Sequence, residues 1–414
     1  MTSLGAPPPR LDGSARGHAG RPTSSVLDEQ IRAELEGLAD QGLYRMLRRV
    51  TGTAGPRMEV DGRDCLMLAS SNYLDLAGHP EVVAAAHAAA ASYGTAAGGS
   101  RLINGNLALH EALERDLARF CGFESALVYS TGYMANLGVL TTLATSRDVV
   151  VSDELNHASI IDGCRLSGAD TRIFRHRDPE DLARVLAACG GYRRRLLVLD
   201  GVFSMDGDTS PLADLVPIAR EHEAVVVVDD AHGIGVLGAT GRGTIEQEQV
   251  AVDVLVGNLG KALGSFGAFV GCSATVRDLL VNSSRSFVFT CAVAPPALGA
   301  AGQALRIIER EPDRRDRLRR RAEALRSGLR DAGYDTGLSS THVVPAIVHD
   351  SARAMSMAQQ ALARGVYAQG IRYPSVPVGA ARIRFTPSAG HSDADIAEVV
   401  DVFAQLREAV VTTP

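Results

Sequence analysis

The run Gly257-Asn258-Leu259-Gly260-Lys261-Ala262-Leu263-Gly264 crowds small residues around a single amine, directly after the strand-like stretch Asp253 to Val256. Glycines on both sides let the backbone approach a flat ligand closely, and a lysine with so little shielding can reach a carbonyl and form an imine. Upstream, Asp229-Asp230-Ala231-His232 closes the apolar run Ala224 to Val228. A lysine for a Schiff base and a carboxylate for a pyridinium nitrogen are the two groups that pyridoxal phosphate chemistry requires.

Other candidates are read against that pair. Ser130-Thr131-Gly132-Tyr133-Met134-Ala135-Asn136 lies at a strand-to-helix junction. Free backbone amides and the helix dipole there suit a phosphate, although an ordinary Ser/Thr cap would look the same. With Lys261 and Asp229 in the same alternating pattern, the cofactor phosphate is the better reading. Ser204 follows the strand Leu196 to Leu199 by way of a loop, and open α/β sheets bind ligands at such ends. His157 after Asp153 reads, on its own, as a structural histidine. Metal binding by Asp229, Asp230 and His232 competes with the cofactor reading, but no further ligands at metal spacing accompany them.

Gly233-Ile234-Gly235-Val236-Leu237-Gly238 matches the dinucleotide fingerprint letter for letter. Its context disagrees: Asp229 to His232 separate it from the strand, and glycine-rich loop continues to Gly243 where a helix should open. A nicotinamide-dependent oxidoreductase is therefore a remote alternative. Gly257 to Lys261 likewise lacks the spacing and the following Ser/Thr of a P-loop.

The elements that must position these groups are legible in the pattern. Runs at Ala126–Tyr129, Val149–Val151, Arg172–Phe174, Leu196–Leu199, Val225–Val228, Val254–Val256 and Ala268–Val270 alternate with helical segments. That alternation predicts an α/β fold with a mainly parallel sheet covered on both faces. Leu109, Leu113, Leu117 and Phe120 mark a helix ended by Gly122, and Asp178-Pro179 opens a helix running to Cys189. Residues 1–24 read as a flexible tail, 25–75 as an N-terminal arm with a helix from Leu27 and a short β segment over Arg57 to Leu66. Residues 76–305 form the large domain, and 306–414 a smaller α+β domain. The arginine-rich stretch from Arg314 to Arg321 is interleaved with acids and reads as a solvated helix face.

Bulk properties narrow the partners. The 414 residues are 46% hydrophobic and 22% charged, with a net charge of -6. That is long enough for two domains and gives no sign of nucleic-acid or membrane attraction. The six cysteines show no CxxC pair, as expected of reduced thiols without a zinc site. No stretch approaches the ~18 apolar residues of a membrane span, and Met1 to Arg21 lacks a secretory core. A cytoplasmic enzyme acting on small molecules is expected.

Taken together, the ordered motifs resemble the α-oxoamine synthases, a branch of the fold type I pyridoxal phosphate transferases, the aspartate aminotransferase-like fold. They are Ser70-Ser71-Asn72-Tyr73-Leu74, Gly98-Gly99-Ser100-Arg101-Leu102, Ser130 to Asn136, Asp153 to Ser159, Val202 to Asp208, Asp229 to Gly233, Gly260 to Gly264 and Ala381-Arg382-Ile383-Arg384. The resemblance covers roughly residues 30 to 405. It implies a seven-stranded large domain, pyridoxal 5'-phosphate, a homodimer with shared sites, and decarboxylative condensation of an amino acid with an acyl thioester carried on CoA or a carrier protein. By the same resemblance Lys261 forms the imine, Asp229 pairs with the ring nitrogen, His157 stacks on the ring, and Ser204 and His232 bond its phenolic oxygen. Thr131, Gly132, Tyr133 and Asn258 would surround the phosphate, with Thr290 reaching that of the neighbouring subunit. Arg384 would grip the amino-acid carboxylate and Asn72 would lie near the substrates.

Some positions depart from the pattern. Relatives often carry Ser or Thr where this chain has Asn258, an amide that can still donate. Asp75 stands where relatives often show glycine, adding a charge near the thioester or merely a solvated turn residue. Ser100, in place of Thr, resembles members that accept alanine or other amino acids beyond glycine, although one methyl seldom decides strongly. Arg372 matches an arginine that could meet a distal carboxylate bidentately, which suits a pimeloyl-type donor. A glycine-using relative and a fatty acyl donor are the alternatives.

Overall fold

The computed structural model describes residues 26 to 411, so the tail expected over 1–24 lies outside the described residues. Its centre is a seven-stranded sheet in the order Ser125–Tyr129, Ala268–Cys272, Val254–Asn258, Val225–Asp229, Arg195–Asp200, Val149–Asp153, Asp170–Phe174. The strands from Val254–Asn258 to Asp170–Phe174 pair in parallel, while Ala268–Cys272 runs antiparallel to both neighbours. Consecutive residues feed opposite layers. Leu197, Leu199, Val226, Val228 and Leu255 join one core, and Leu196, Val198, Val227, Val254 and Val256 the other. A sheet covered on both faces needs such apolar runs, and each fully buried Val or Leu contributes about 1.5–3 kcal/mol.

Local signals behave as the sequence predicts. Asp178 caps the helix Pro179–Ala187 by accepting from Asp181 N at 2.9 Å, and Gly122 ends the helix Ala108–Cys121 at φ 78°. The β segment expected over Arg57 to Leu66 is instead a hairpin, Arg57–Val60 against Arg63–Met67, turning at Asp61-Gly62. Asp61 at φ 50° and Gly62 at φ 82° supply the left-handed turn such a hairpin needs.

A three-stranded antiparallel sheet, Val344–His349, Ala381–Phe385 and Gln369–Ile371, forms a second core with Asp313–Asp331, Ser351–Ala363 and Asp393–Val411. Leu66 and Leu68 of the arm belong to that core, whereas Tyr73 and Leu74 belong to the large one. Strand Val366–Tyr367 also pairs in parallel with Arg63–Met67. The boundary expected at 305/306 falls inside the helix Pro295–Arg310, whose Leu298, Leu305 and Ile308 pack in the large core. In the arginine-rich helix, Arg319 pairs with Asp316 at 2.9 Å, Arg314 reaches Glu311 at 2.8 Å, and Arg317 meets Asp313. No helix among the described residues is long and apolar enough to cross a membrane.

Candidate active site

The site lies at the carboxyl ends of the central strands, where Asp200 and Asp229 are register partners on adjacent parallel strands. Asp229 is buried, and its Oδ2 accepts from Asn136 Nδ2 at 2.6 Å while Oδ1 accepts from Ala231 N at 3.0 Å. Asn136 also donates to Ser159 Oγ at 2.9 Å, and Ser159 Oγ lies 2.7 Å from His157 Nδ1. His157 is thereby tied to Asp229 through two side chains. Its backbone N–H donates to Asp200 Oδ2 at 2.8 Å, and the residue is otherwise exposed. Packing on its inner side lowers the basicity of the ring, Asp229 acts the other way, and Lys261 lowers it further.

The strand Val254–Asn258 pairs with Val225–Asp229, and the turn after it brings Lys261 Nζ to 3.0 Å from His232 Nε2. His232 Nδ1 lies 2.7 Å from the hydroxyl of Tyr73, which is fully buried. Burial pushes the His232 pKa well below the ordinary value, and the charges of Lys261 and Arg384 push it further. Lys261, Asp229, His157 and His232 therefore form one connected neighbourhood.

Beside it the helix Gly132–Leu143 begins, capped by the Thr131 hydroxyl, which accepts from Met134 N at 3.1 Å. Asn258 Oδ1 accepts from Gly260 N at 2.7 Å, which turns its Nδ2 towards Gly132. A Cβ at Gly132 would sit 2.9 Å from that nitrogen. Helix start, glycine and amide donor make a cradle for an anionic group. The Tyr133 phenol donates to Asp162.

Arg384, on the second sheet, crosses to the large one and donates from Nε to the Ser204 carbonyl at 2.5 Å. Arg382 donates to Met205 O at 3.1 Å and to Asp206 Oδ1 at 2.5 Å. Other predicted residues have partners of their own. Asn72 is buried as a turn brace, its Oδ1 accepting from Leu76 N and Ala77 N at 2.9 and 3.0 Å. Asp75 is a half-buried turn residue at φ 56°, its carboxyl raised by burial against the pull of Arg314. Arg372 donates to Tyr44 O at 3.0 Å and lines a separate cavity of about 550 Å³ with Arg45 and Arg48. Ser100 O accepts from Gly105 N at 2.9 Å in a surface loop, and Thr290 adjoins Cys291, whose carbonyl accepts from Ser130 Oγ at 3.0 Å. Among the described residues neither has a hydrogen bond to the Lys261 group.

The metal and dinucleotide alternatives meet concrete obstacles. Asp229 is engaged by Asn136 and His232 by Tyr73 and Lys261, while Asp230 turns away to accept from Thr244 N at 2.6 Å. Burial raises the Asp230 pKa to about 8. A Cβ on Gly233 or Gly243 would approach its carboxylate to 2.1 or 1.8 Å. The glycines around the fingerprint thus make room for a buried acid.

Asp200, Asn136, Ser159 and Tyr73 are the participants that reading of single residues missed. Asp200 closes an apolar run just as Asp229 does, a signal present in the sequence. The partners of the other three follow only from strand register and chain packing.

A lysine, a buried acid and an anion cradle suit a flat, carbonyl-bearing phosphate, and the comparisons agree with that chemistry. The family model "Aminotransferase class I and II" matches residues 63–403. The chain is 47% identical over 384 residues to 8-amino-7-oxononanoate synthase of Geobacter sulfurreducens, covering 92% of this chain and 98% of that one. A structure of serine palmitoyltransferase with its pyridoxal phosphate internal aldimine superposes with TM-score 0.88 at 32% identity, covering 94% of this chain and 100% of the other. The 8-amino-7-oxononanoate synthase of Francisella tularensis gives 0.72 at 25%, covering 83% and 98%. With a match that runs from the arm hairpin to the last helix and takes in every group of the Lys261 neighbourhood, the chain belongs to the class I and II aminotransferase family.

Proposed function

We propose that the protein is a pyridoxal phosphate-dependent acyltransferase of the 8-amino-7-oxononanoate synthase type. It condenses an amino acid, foremost L-alanine, with a pimeloyl-type acyl thioester. An acyl–carbon bond forms, the thiol leaves, and the amino-acid carboxyl departs as carbon dioxide, leaving an α-oxoamine. The observation that carries this reading is Lys261 beside His232, one strand from a buried Asp229, in a chain 47% identical to such a synthase over nearly its whole length.

The residues present fit the cofactor. Asn258 Nδ2, Thr131 and the amides at Gly132 and Tyr133 would hold its phosphate, since a side chain at Gly132 would fill that space. Asp229, oriented by Asn136, would keep a proton on the ring nitrogen, and His157, braced by Ser159, would cover the ring. His232 and Ser204 would meet its phenolic oxygen. When bound, the cofactor supplies an electron sink that lowers the cost of a carbanion at the substrate α carbon. Lys261 Nζ removes the α proton. Arg384 holds the carboxylate through its Nη groups, its Nε being engaged by Ser204 O. Arg372, Ser100 and Asn72 stay candidates for substrate selection.

The chain acts as a homodimer with shared sites in this reading. Exposed Leu102, Ile103 and Phe289, beside Ser100 and Thr290, support an apolar contact there. A second reading, a serine-using enzyme with a long acyl donor, is favoured by the higher TM-score to serine palmitoyltransferase. Steady-state assays crossing alanine, glycine and serine with pimeloyl-, acetyl- and palmitoyl-CoA separate them. Alanine with pimeloyl-CoA is expected to give the highest kcat/KM; serine with palmitoyl-CoA doing so would establish the second reading. Lys261→Ala is expected to abolish turnover and the imine absorbance, and normal turnover in that variant would refute the assignment.

A further inference from the structure

We propose that Tyr73 is a positioning residue for this site: its buried hydroxyl donates to His232 Nδ1 and so fixes the imidazole proton on Nε2, facing Lys261. The inference rests on the function proposed above and assigns a role to the one phenol that touches the lysine neighbourhood from the arm.

Tyr73 is fully buried, with its backbone N–H bonded to Ser71 O at 2.9 Å and its carbonyl accepting from Ala389 N at 2.8 Å. Its hydroxyl has one partner among the described residues, His232 Nδ1 at 2.7 Å. A buried O–H needs an acceptor. The His232 ring is itself buried, and burial together with the nearby Arg384 charge opposes a positive charge on it. A neutral imidazole carries one donor and one acceptor. Were the proton on Nδ1, the Tyr73 oxygen would accept it and the phenol's own hydrogen would be left without an acceptor. With the proton on Nε2 the Tyr73 hydroxyl has its acceptor, and a single N–H points to the Lys261 nitrogen 3.0 Å away, which can accept it when it carries no ammonium protons, as in the holoenzyme.

His342 completes the seat of the phenol. Its ring centroid lies 4.1 Å from that of Tyr73 at 60°, and both its ring nitrogens are buried without a hydrogen bond. Burial lowers its pKa to about 3, with Arg384 and Lys261 acting in the same sense. It is a neutral edge-on neighbour that offers Tyr73 no competing partner. The tautomer of a histidine is set by the bond its other nitrogen makes, and here Tyr73 makes that bond.

The test uses holoenzyme labelled with ¹⁵N-histidine, with the His232 resonances assigned by their loss in His232→Gln. In the unmodified protein Nε2 is expected to be protonated and Nδ1 to have the shift of a hydrogen-bond acceptor. Tyr73→Phe is expected to lose that single tautomer and to lower kcat about tenfold, with the amino-acid KM within about twofold, as for partners that orient a functional histidine. Protonated Nδ1 in the unmodified protein overturns the proposal, as does a Tyr73→Phe enzyme that keeps both the Nε2–H tautomer and normal kcat. Should Tyr73→Phe fail to fold, the spectrum of the unmodified protein still decides. Full turnover by Lys261→Ala would instead remove the functional reading and leave the tautomer measurement standing.

Discussion

Two acids at matched positions on neighbouring strands have opposite surroundings. Asp229 receives an amide from Asn136 and another from Ala231, whereas among the described residues the Asp200 carboxyl receives only the His157 N–H. Burial, with the nearby Asp229 charge, raises the Asp200 pKa well above the ordinary carboxylate value. A carboxyl whose folded pKa exceeds the unfolded one holds its proton more tightly when folded, so the protein loses stability as pH rises above about 3.9. Asp200→Asn, which keeps an oxygen acceptor for His157 N, is therefore expected to raise Tm by roughly 1–3 °C at pH 7. No gain is expected near pH 3.5. Melting curves across that range check the sign, and a gain at both pH values would contradict the burial argument.

Elements place these residues through a few fixed joints. His176 follows the strand Asp170–Phe174 and bridges Asp153 Oδ1 and Asp208 Oδ2, each at 2.9 Å. Arg177 donates to Asp208 at 3.2 Å, His176 N donates to Glu154 at 2.9 Å, and the Phe203 ring packs edge-on at 4.3 Å. Burial opposes a charge on His176, but the two carboxylates overcome it and raise the pKa to about 9. Because the folded value lies above the unfolded one of about 6.5, the stabilisation is complete below that pH and disappears as pH rises through 9. His176→Gln is expected to cost about 2–3 kcal/mol at pH 6 and little at pH 10, measured by urea unfolding. The joint anchors the loop bearing Ser204, so its loss should also raise the amino-acid KM. The sequence revealed the strands and caps around this joint because apolar periodicity and capping chemistry are local. It did not reveal the joint, since Asp153, His176 and Asp208 meet only through the strand order. For the same reason the local pattern makes one segment of Arg57–Leu66, and a boundary at 305/306 cuts a helix whose apolar face belongs to the large core.

At the scale of the molecule the second sheet completes the site that the first begins. Arg382 and Arg384 extend from one strand to the Ser204–Asp206 loop, and the Thr341 hydroxyl donates to Gly207 O at 2.8 Å from the same side. In the proposed function Arg384 would have two tasks with one side chain: Nε spans the two cores, and the terminal Nη groups, which make no hydrogen bond among the described residues, would take the carboxylate. A lysine has a single nitrogen at the end of its chain and can serve the span or a carboxylate, but not both. Arg384→Lys is therefore expected to raise the KM for the amino acid about 10–100-fold, the value of a lost charge-assisted bidentate contact of about 1.5–3 kcal/mol. Cofactor affinity should change little, because the cradle at Gly132 and Asn258 belongs wholly to the large core. Steady-state kinetics paired with titration of the cofactor absorbance checks both halves. A variant that loses cofactor and substrate affinity together would place Arg384 in the support of the fold rather than at the carboxylate.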